Sequence, residues 1–175
     1  CVNTWREEMK IELKRASIQD ADFIWHMQVE AFADLLEKYK DYDTSPGCEP
    51  LEKVQMRLNQ PFTYFYLICG ENASTQRERG EAACFDILGA IRVIDKKEAG
   101  KKKKISPIFV KKEYRGMGIA QKAIALAEEM HGSDNWELDT ILQEAGNCYL
   151  YEKMGYKTTG ETKVINERLT LVFYE

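Results

Sequence analysis

The six residues Arg115-Gly116-Met117-Gly118-Ile119-Ala120 join a short apolar run, Ile105 to Val110, to a strongly helical run, Ile119 to His131. This order predicts a strand, a glycine loop and the start of a helix. Gly116 and Gly118 lack a Cβ, so the backbone can come close to a ligand there. The unpaired N–H groups of the first helical turn add the positive end of the helix dipole. The stretch therefore predicts a diphosphate-binding loop.

The residues after the loop narrow the choice of ligand. A nucleotide P-loop would end in Lys-Ser/Thr, whereas Gly118 is followed by Ile119, Ala120 and Gln121, so a triphosphate site is not indicated. The dinucleotide pattern G-x-G-x-x-G is met only in part, because Gln121 replaces the third small residue. Asp139 nevertheless lies at about the right distance for a ribose contact, so a dinucleotide-dependent oxidoreductase stays open as an alternative.

A family pattern fits the loop better. Val110-x-x-x-x-Arg115-x-x-Gly118-x-Ala120 resembles the R/Q-x-x-G-x-G/A signature with which the GNAT superfamily of N-acetyltransferases holds the pyrophosphate of acetyl-CoA. Downstream, Leu150 to Tyr156 (LYEKMGY) resembles the block L-Y-E-K-x-G-F/Y that follows the family's fifth strand. The resemblance covers roughly Met9 to Glu175. It implies acetyl-CoA as co-substrate, bound by Arg115, Gly116, Met117, Gly118, Ile119 and Ala120.

The predicted fold is α/β, of the α+β type: a GNAT-like acyl-CoA N-acyltransferase fold, with a central mixed sheet and helices on both faces. The chain has 175 residues, of which 44% are hydrophobic and 31% charged, as is usual for one globular domain. We expect residues 1–8 to be an N-terminal extension and residues 9–175 a single GNAT-like acetyltransferase domain.

Periodicity and turn residues predict the elements in detail. The expected strands are Ile11–Ala16, Phe62–Cys69, Ala83–Asp95, Ile105–Val110, Trp136–Ile141, Lys157–Glu161 and Leu169–Tyr174. The expected helices are a long one after Ser17, broken once before Tyr39, then Leu51–Leu58, Gly116–His131 and a short one that carries Tyr151. Glu71 to Glu81 is expected to form a polar hairpin turn.

Pro107 interrupts a predicted strand, where it removes a donor from the ladder. An edge strand would tolerate it. In the GNAT fold, however, the fourth strand bulges and splays from the fifth, and the pantetheine arm of the co-substrate inserts into the gap. The resemblance then implies that the backbone of Ile108, Phe109 and Val110 pairs with the arm and donates an N–H to the thioester oxygen.

The implied reaction is direct acetyl transfer to a primary amine through a tetrahedral intermediate. The site must remove a proton from the amine, stabilise an oxyanion and protonate the leaving thiolate. Tyr151 matches the tyrosine that protonates the thiolate in many family members; alternatively, it is a core aromatic residue. A non-catalytic acetyl-CoA-binding sensor or regulatory module is the alternative function.

The general base is less clearly indicated. Ser106 stands where many relatives carry a glutamate, and a serine cannot act as a base at its usual pKa. Glu144, Asn147 and Tyr151 are spaced three and four apart, so they share one face if their helix starts early enough. Glu144 stands where the GNAT superfamily often has an asparagine that contacts the CoA arm. This departure from the family pattern makes Glu144 either a base candidate or a surface residue, and Asn147 belongs to the predicted cofactor-binding set. His131 and His26 are expected to be helix residues rather than catalysts.

The acceptor is a small-molecule or peptide amine, and an acidic, aromatic region suggests that it is cationic. That region contains Glu30, Glu37, Asp41, Asp43 and Glu49, with Tyr39 and Tyr42. A solvated helix face would explain the same charges. A homodimer is possible on the sequence.

Composition argues against other partners. A net charge of −4 does not favour nucleic acid, and the one basic run, Lys101 to Lys104, is predicted to be a solvated hairpin turn that could alternatively contact the CoA 3′-phosphate or an anionic partner. No apolar run reaches membrane-spanning length, so we expect no membrane contact and a cytoplasmic protein. Five irregularly spaced cysteines predict free thiols and no metal.

Overall fold

The computed structural model describes residues 10–71 and 85–175. Seven strands form one sheet in the order β1-β2-β3-β4-β5-β7-β6. The strands are β1 Ile11–Arg15, β2 Thr63–Glu71, β3 Phe85–Ile94, β4 Lys103–Val110, β5 Trp136–Ile141, β6 Thr158–Val164 and β7 Thr170–Tyr174. The helices are α1 Ala21–Tyr39, α2 Leu51–Asn59, α3 Ile119–His131 and α4 Ala145–Lys153. The predicted mixed sheet is confirmed.

Helices cover both faces of the sheet, as predicted. On one face, Ile24, Met27 and Ala31 of α1 and Val54 of α2 pack in a cluster with buried residues of β2, β3 and β4. On the other face, the apolar side of α3 packs with residues of six strands and with Tyr151 of α4. Burial of these two apolar surfaces supplies the main driving force for folding.

The first long helix is continuous, so the predicted break before Tyr39 is wrong. Apolar residues recur at helical spacing through its whole length, and no glycine or proline interrupts them. The helix ends when Lys40 adopts a left-handed conformation with φ of 53° and donates its N–H to the carbonyl of Leu36. Just before the helix, the backbone N–H of Ser17 donates to Asp20 at 2.8 Å, which is one of the two contacts of a capping box.

Strand β4 lies inside the sheet, so the edge-strand explanation of Pro107 is wrong. It pairs with β3 along most of its length, and the register shifts between Ile91 and Val93, opposite the proline. With its parallel neighbour β5 it pairs only at Lys103 and Lys104. Because Ile108 to Val110 have no partners in β5, the two strands splay at this end, as the resemblance implied.

Gly89 brings β3 unusually close to the same end of β4. It pairs with Val110, and a Cβ added to Gly89 would lie only 2.1 Å from the carbonyl oxygen of Phe109. Only glycine fits there, since any side chain would push the two strands apart. The position of the splayed strand end therefore depends on a glycine that the strand pattern did not single out.

The remaining elements are those predicted, with some ends shifted: α3 begins at Ile119 rather than Gly116, and β6 ends at Val164 rather than Glu161. Trp136–Ile141 is a strand, and Tyr151 lies on a short helix. The predicted turn at Lys101 to Lys104 is too long, because β4 already begins at Lys103. The predicted hairpin turn of Glu71 to Glu81 falls, apart from its first residue, outside the described residues.

Candidate active site

The glycine loop leads directly into α3. Gly116 and Gly118 both have φ of +75°, a conformation that residues with a side chain rarely adopt, and nothing lies within 4 Å of where a Cβ would be. Gly118 is the N-cap of the helix, and its carbonyl accepts the N–H of Lys122 at 3.2 Å. The N–H groups of the first turn have no partner within the helix, so they are free to bind an anion.

The side chain of Arg115 holds this loop in place. Its Nε donates to the carbonyl of Val110 at 3.2 Å, and one Nη donates to the carbonyl of Ala31 at 2.7 Å. The guanidinium thus links the end of β4 to helix α1. The loop is fixed against two elements that border the same cavity.

A cavity of about 620 Å³ opens in front of the loop, between α1, the splayed end of β4 and the helices α3 and α4. Its size is typical of a small-molecule or cofactor site. All but one of the predicted site residues line it: Ile108, Phe109, Val110, Arg115, Gly116, Gly118, Ile119, Ala120, Glu144, Asn147 and Tyr151. Met117 alone is not in its wall.

Tyr151 faces this cavity from α4 and keeps only 8% of its surface exposed. Its ring packs edge-on against Tyr156, with centroids 6.3 Å apart, and lies tilted against Tyr174 at 6.2 Å. Burial raises the pKa of the phenol to about 12. The hydroxyl therefore stays protonated at neutral pH, as a proton donor must.

Glu144 is the N-cap residue of α4, so Glu144, Asn147 and Tyr151 do share one side of the helix. Its Oε1 accepts hydrogen bonds from Tyr39 Oη at 2.7 Å and Lys38 Nζ at 2.9 Å. Burial opposes ionisation of Glu144, but these two partners outweigh it and lower the pKa of the carboxyl. A carboxylate held in this way ties α1 to α4 and is a weak base.

A second cavity, of about 260 Å³, adjoins the first and shares Phe32, Leu35, Ile108, Asn147 and Tyr151 with it. Its other walls come from β4, β5, β7 and the loop after α1. Half of the twelve added residues are apolar: Pro46, Ile105, Pro107, Ile141, Leu169 and Leu171. Tyr151 therefore stands between a large cavity beside the glycine loop and a smaller cavity with both apolar and polar walls.

Both carboxylates in the second cavity have partners. Asp41 accepts hydrogen bonds from the backbone N–H of Thr44 at 2.9 Å and of Asp43 at 3.2 Å, and from the Thr44 hydroxyl. Asp139 pairs with Lys104 at 2.9 Å. The Asp139 contact expected for a dinucleotide ribose is thus replaced by an ion pair.

The predicted acidic rim is not assembled. Glu49 is buried and binds both Nη atoms of Arg57, at 2.7 and 3.0 Å, and the amide of Gln28 at 2.9 Å. Asp41 alone among the five predicted carboxylates lines the cavity beside Tyr151. This arrangement supports the alternative explanation, in which these charges stabilise or solvate the fold.

The remaining predicted features lie outside the site. His131 ends α3 and His26 lies exposed on α1, as expected. Cys48, Cys69 and Cys148 are free thiols, and Cys1 and Cys84 fall outside the described residues. Residues 10–71 and 85–175 contain no group of three or more potential metal ligands. No helix among them is long and apolar enough to cross a bilayer.

Comparison with known proteins agrees with this geometry. A family model described as an acetyltransferase (GNAT) domain matches residues 78–158, which include the glycine loop and Tyr151. Residues 78–158 of this chain thus match a GNAT acetyltransferase domain. No curated protein matches the sequence significantly.

Solved structures share the GNAT fold at low sequence identity. A domain from Methanocaldococcus jannaschii matches at 14% identity and a TM-score of 0.66, covering 95% of this chain and 98% of its own. Spermidine N-acetyltransferase from Vibrio cholerae, in complex with CoA and spermine, matches at 14% and 0.67, covering 94% and 93%. PaiA N-acetyltransferase from Thermoplasma acidophilum, with coenzyme A, matches at 15% and 0.63, covering 94% and 98%. The dinucleotide-oxidoreductase alternative does not fit this fold, whose sheet is mostly antiparallel.

Proposed function

We propose that this protein transfers the acetyl group of acetyl-CoA directly to a primary amine through a tetrahedral intermediate. One observation carries the proposal: the glycine loop and the buried hydroxyl-bearing ring of Tyr151 face the same cavity, at the end where β4 splays from β5. The loop suits a diphosphate, and the splayed strand leaves backbone groups free for an amide-containing arm. Acetyl-CoA contains both parts.

In this proposal the first-turn N–H groups of α3 hold the pyrophosphate, and Arg115 fixes the loop that presents them. The backbone of Ile108, Phe109 and Val110 pairs with the pantetheine arm and supplies an N–H for the developing oxyanion. Asn147 lies beside Tyr151 in both cavities and completes the cofactor-binding set.

Tyr151 gives its proton to the leaving thiolate. The acceptor ammonium must first lose a proton, because a protonated amine has no free lone pair. Glu144 is a candidate base by position, yet its hydrogen bonds to Tyr39 and Lys38 favour a positioning role. We therefore assign removal of the amine proton to water in the cavity, with Glu144 holding α4 in place.

The second cavity is the proposed acceptor site. Its volume of about 260 Å³ is below the usual range for drug-sized ligands. Of its two carboxylates, Asp139 is in an ion pair and Asp41 is held by hydrogen bonds within its own loop. These features favour a small amine with one ammonium group and an apolar body over a polyamine, which would need several free carboxylates.

We also propose a single domain over residues 9–175, a homodimer, a cytoplasmic location and the absence of nucleic-acid contacts.

A non-catalytic acetyl-CoA sensor is the second candidate, and Ser106 favours it, since this position lacks the carboxylate that many relatives use as a base. Both functions require the glycine loop. They differ in whether CoA is released when an amine is added.

Titration calorimetry with acetyl-CoA tests the loop. Gly118→Val should lower affinity at least tenfold, or about 1.4 kcal/mol, because a side chain there strains the backbone and obstructs the diphosphate. Gly160→Val is the matched control, since Gly160 has a similar φ of +86° but lies on β6, outside the site. Equal affinities in the two variants would refute the loop assignment.

An assay of CoA thiol release then tests turnover. Phenethylamine, hexylamine, spermidine and an aminoglycoside form a suitable panel of acceptors. We expect the two monoamines to give the fastest release. Tight acetyl-CoA binding without release by any amine would refute catalysis and favour the sensor.

A further inference from the structure

Successive lysines of the basic run Lys101 to Lys104 lie on opposite sides of the chain. Lys102 pairs with Glu175, and Lys104 pairs with Asp139. Lys101 and Lys103 alternate with Lys102 and Lys104 along the chain and line a different cavity. No carboxylate among the described residues forms an ion pair with Lys101 or Lys103. Alternation along an extended backbone places residues i and i+2 on one side. Half of the run is therefore neutralised and half is not.

The cavity that Lys101 and Lys103 line has a volume of about 610 Å³ and lies at the C-terminal end of α3. Arg15 and Lys97 add two more cations to its wall. None of its lining residues lines either cavity beside Tyr151. The two ends of β4 thus border separate sites, and the basic run is remote from the proposed acetyl-CoA site.

The carboxylates in this wall are Asp95 and Glu98. Asp95 accepts the N–H of Lys97 and a hydrogen bond from His131 Nδ1, each at 3.0 Å. Burial opposes ionisation of Asp95, but these hydrogen bonds prevail and lower the pKa of its carboxyl. Asp95 is thus held by its own neighbours but keeps its negative charge. Four cationic side chains, Arg15, Lys97, Lys101 and Lys103, therefore face two carboxylates, which leaves the wall positive.

Aromatic rings hold three of these cations in position. The Arg15 guanidinium lies 4.4 Å from the centre of the Tyr64 ring, and Lys97 Nζ lies 5.4 Å from the same ring. Lys103 Nζ lies 5.3 Å from the Trp136 ring. Cation–π contacts reduce the freedom of these side chains without neutralising their charge. The cluster is therefore partly ordered before any anion binds.

We propose that this cavity binds a small molecule with at least two phosphate-type negative charges, independently of acetyl transfer. Several cations around one recess favour a multiply charged anion, since each adds a favourable Coulomb interaction. A recess of this volume accommodates a small metabolite. Phosphate groups suit lysine ammonium groups, which act as point charges.

Titration calorimetry with inorganic pyrophosphate at low salt tests the proposal. Because the glycine loop also suits pyrophosphate, the titration is made on the Gly118→Val variant as well as on the wild type. Saturable binding should persist in Gly118→Val and weaken steeply with added salt. Binding that disappears in Gly118→Val would assign the anion to the loop and overturn the proposal.

A double variant of exposed lysines locates the anion. Lys97→Ala with Lys101→Ala, introduced into Gly118→Val, should lower pyrophosphate affinity at least tenfold. Lys157→Ala with Lys163→Ala removes the same charge from exposed positions at β6 and is the matched control. Equal loss in both double variants, or no saturable binding at all, would show a merely solvated basic turn. Circular dichroism melting checks that all variants are folded.

Discussion

Arg115 Nη2 donates a hydrogen bond of 2.7 Å to the carbonyl oxygen of Ala31, which lies 84 positions earlier in α1. The same guanidinium binds the carbonyl of Val110 through Nε. One side chain therefore sets the distance between the glycine loop, the splayed end of β4 and the helix that faces them. The arrangement assigns Arg115 to holding the loop as well as to adding positive charge.

Replacing Arg115 should weaken acetyl-CoA binding through loss of loop order. We expect Arg115→Ala to raise the Kd about tenfold, or about 1.4 kcal/mol. Arg115→Lys should lose nearly as much, because lysine keeps the charge but cannot bind two carbonyls in a fixed fork. Calorimetry measures both, with the exposed Arg168→Ala as control. Full affinity in Arg115→Lys would show that only the charge matters.

Tyr151 separates an enzyme from a sensor. Tyr151→Phe keeps the ring and its packing but deletes the proton donor, so kcat should fall by about 10²–10⁴ while acetyl-CoA affinity changes little. We expect a fall in kcat of about 10²-fold, since CoA thiolate is a fair leaving group even without a proton donor. Steady-state rates with the best amine decide, with the exposed Tyr42→Phe as control. A wild-type kcat in Tyr151→Phe would show that Tyr151 is a core aromatic residue and not a proton donor.

The stability of the protein at alkaline pH should depend on the Tyr151 hydroxyl. Burial raises the folded-state pKa of Tyr151 from 10 to about 12, so its contribution is complete below pH 10 and is lost as pH rises towards 12. A tenfold change in an acid dissociation constant corresponds to about 1.4 kcal/mol, so the stability lost over this range is about 2–3 kcal/mol.

Urea unfolding at pH 8 and pH 11 measures the first part of this loss, which amounts to about 1.4 kcal/mol for Tyr151 at pH 11. Burial also raises the pKa of the neighbouring Tyr156 and Tyr174, so the wild type should be clearly less stable at pH 11. Tyr151→Phe should lose less stability over this interval than the wild type does. An identical loss in both proteins would contradict a buried, protonated phenol.

Glu144 distinguishes a base from a positioning residue. Glu144→Gln should lower kcat by less than about tenfold, whereas loss of a true general base costs about 10²–10⁴. Tyr39→Phe removes one of the same hydrogen bonds, and should lower the free energy of unfolding by about 1 kcal/mol. Rates and urea unfolding are measured for both variants. A large fall in kcat for Glu144→Gln alone would restore the base role.

Local pattern was sufficient for the elements and for the loop chemistry. The order of a strand, two glycines and an amphipathic helix predicted the diphosphate site, because helix starts and positive φ angles are properties of a few adjacent residues. Spacing placed Glu144, Asn147 and Tyr151 on one side of α4 in the same way. The break predicted in α1 was wrong, since no single residue there stops a helix.

Only the tertiary structure decided how side chains from distant segments combine. Tyr39 and Lys38 bind Glu144, Arg57 binds Glu49, and Lys104 binds Asp139. Gly89 sets the approach of β3 to β4, although a glycine within a strand pattern is a known signal of close backbone contact. The sequence determined which side chains and secondary-structure elements this protein has, because periodicity and turn residues act over a few neighbouring positions. Long-range packing decided which of those side chains remain free to bind a ligand. No local sequence pattern shows such packing, because it joins residues far apart in the chain.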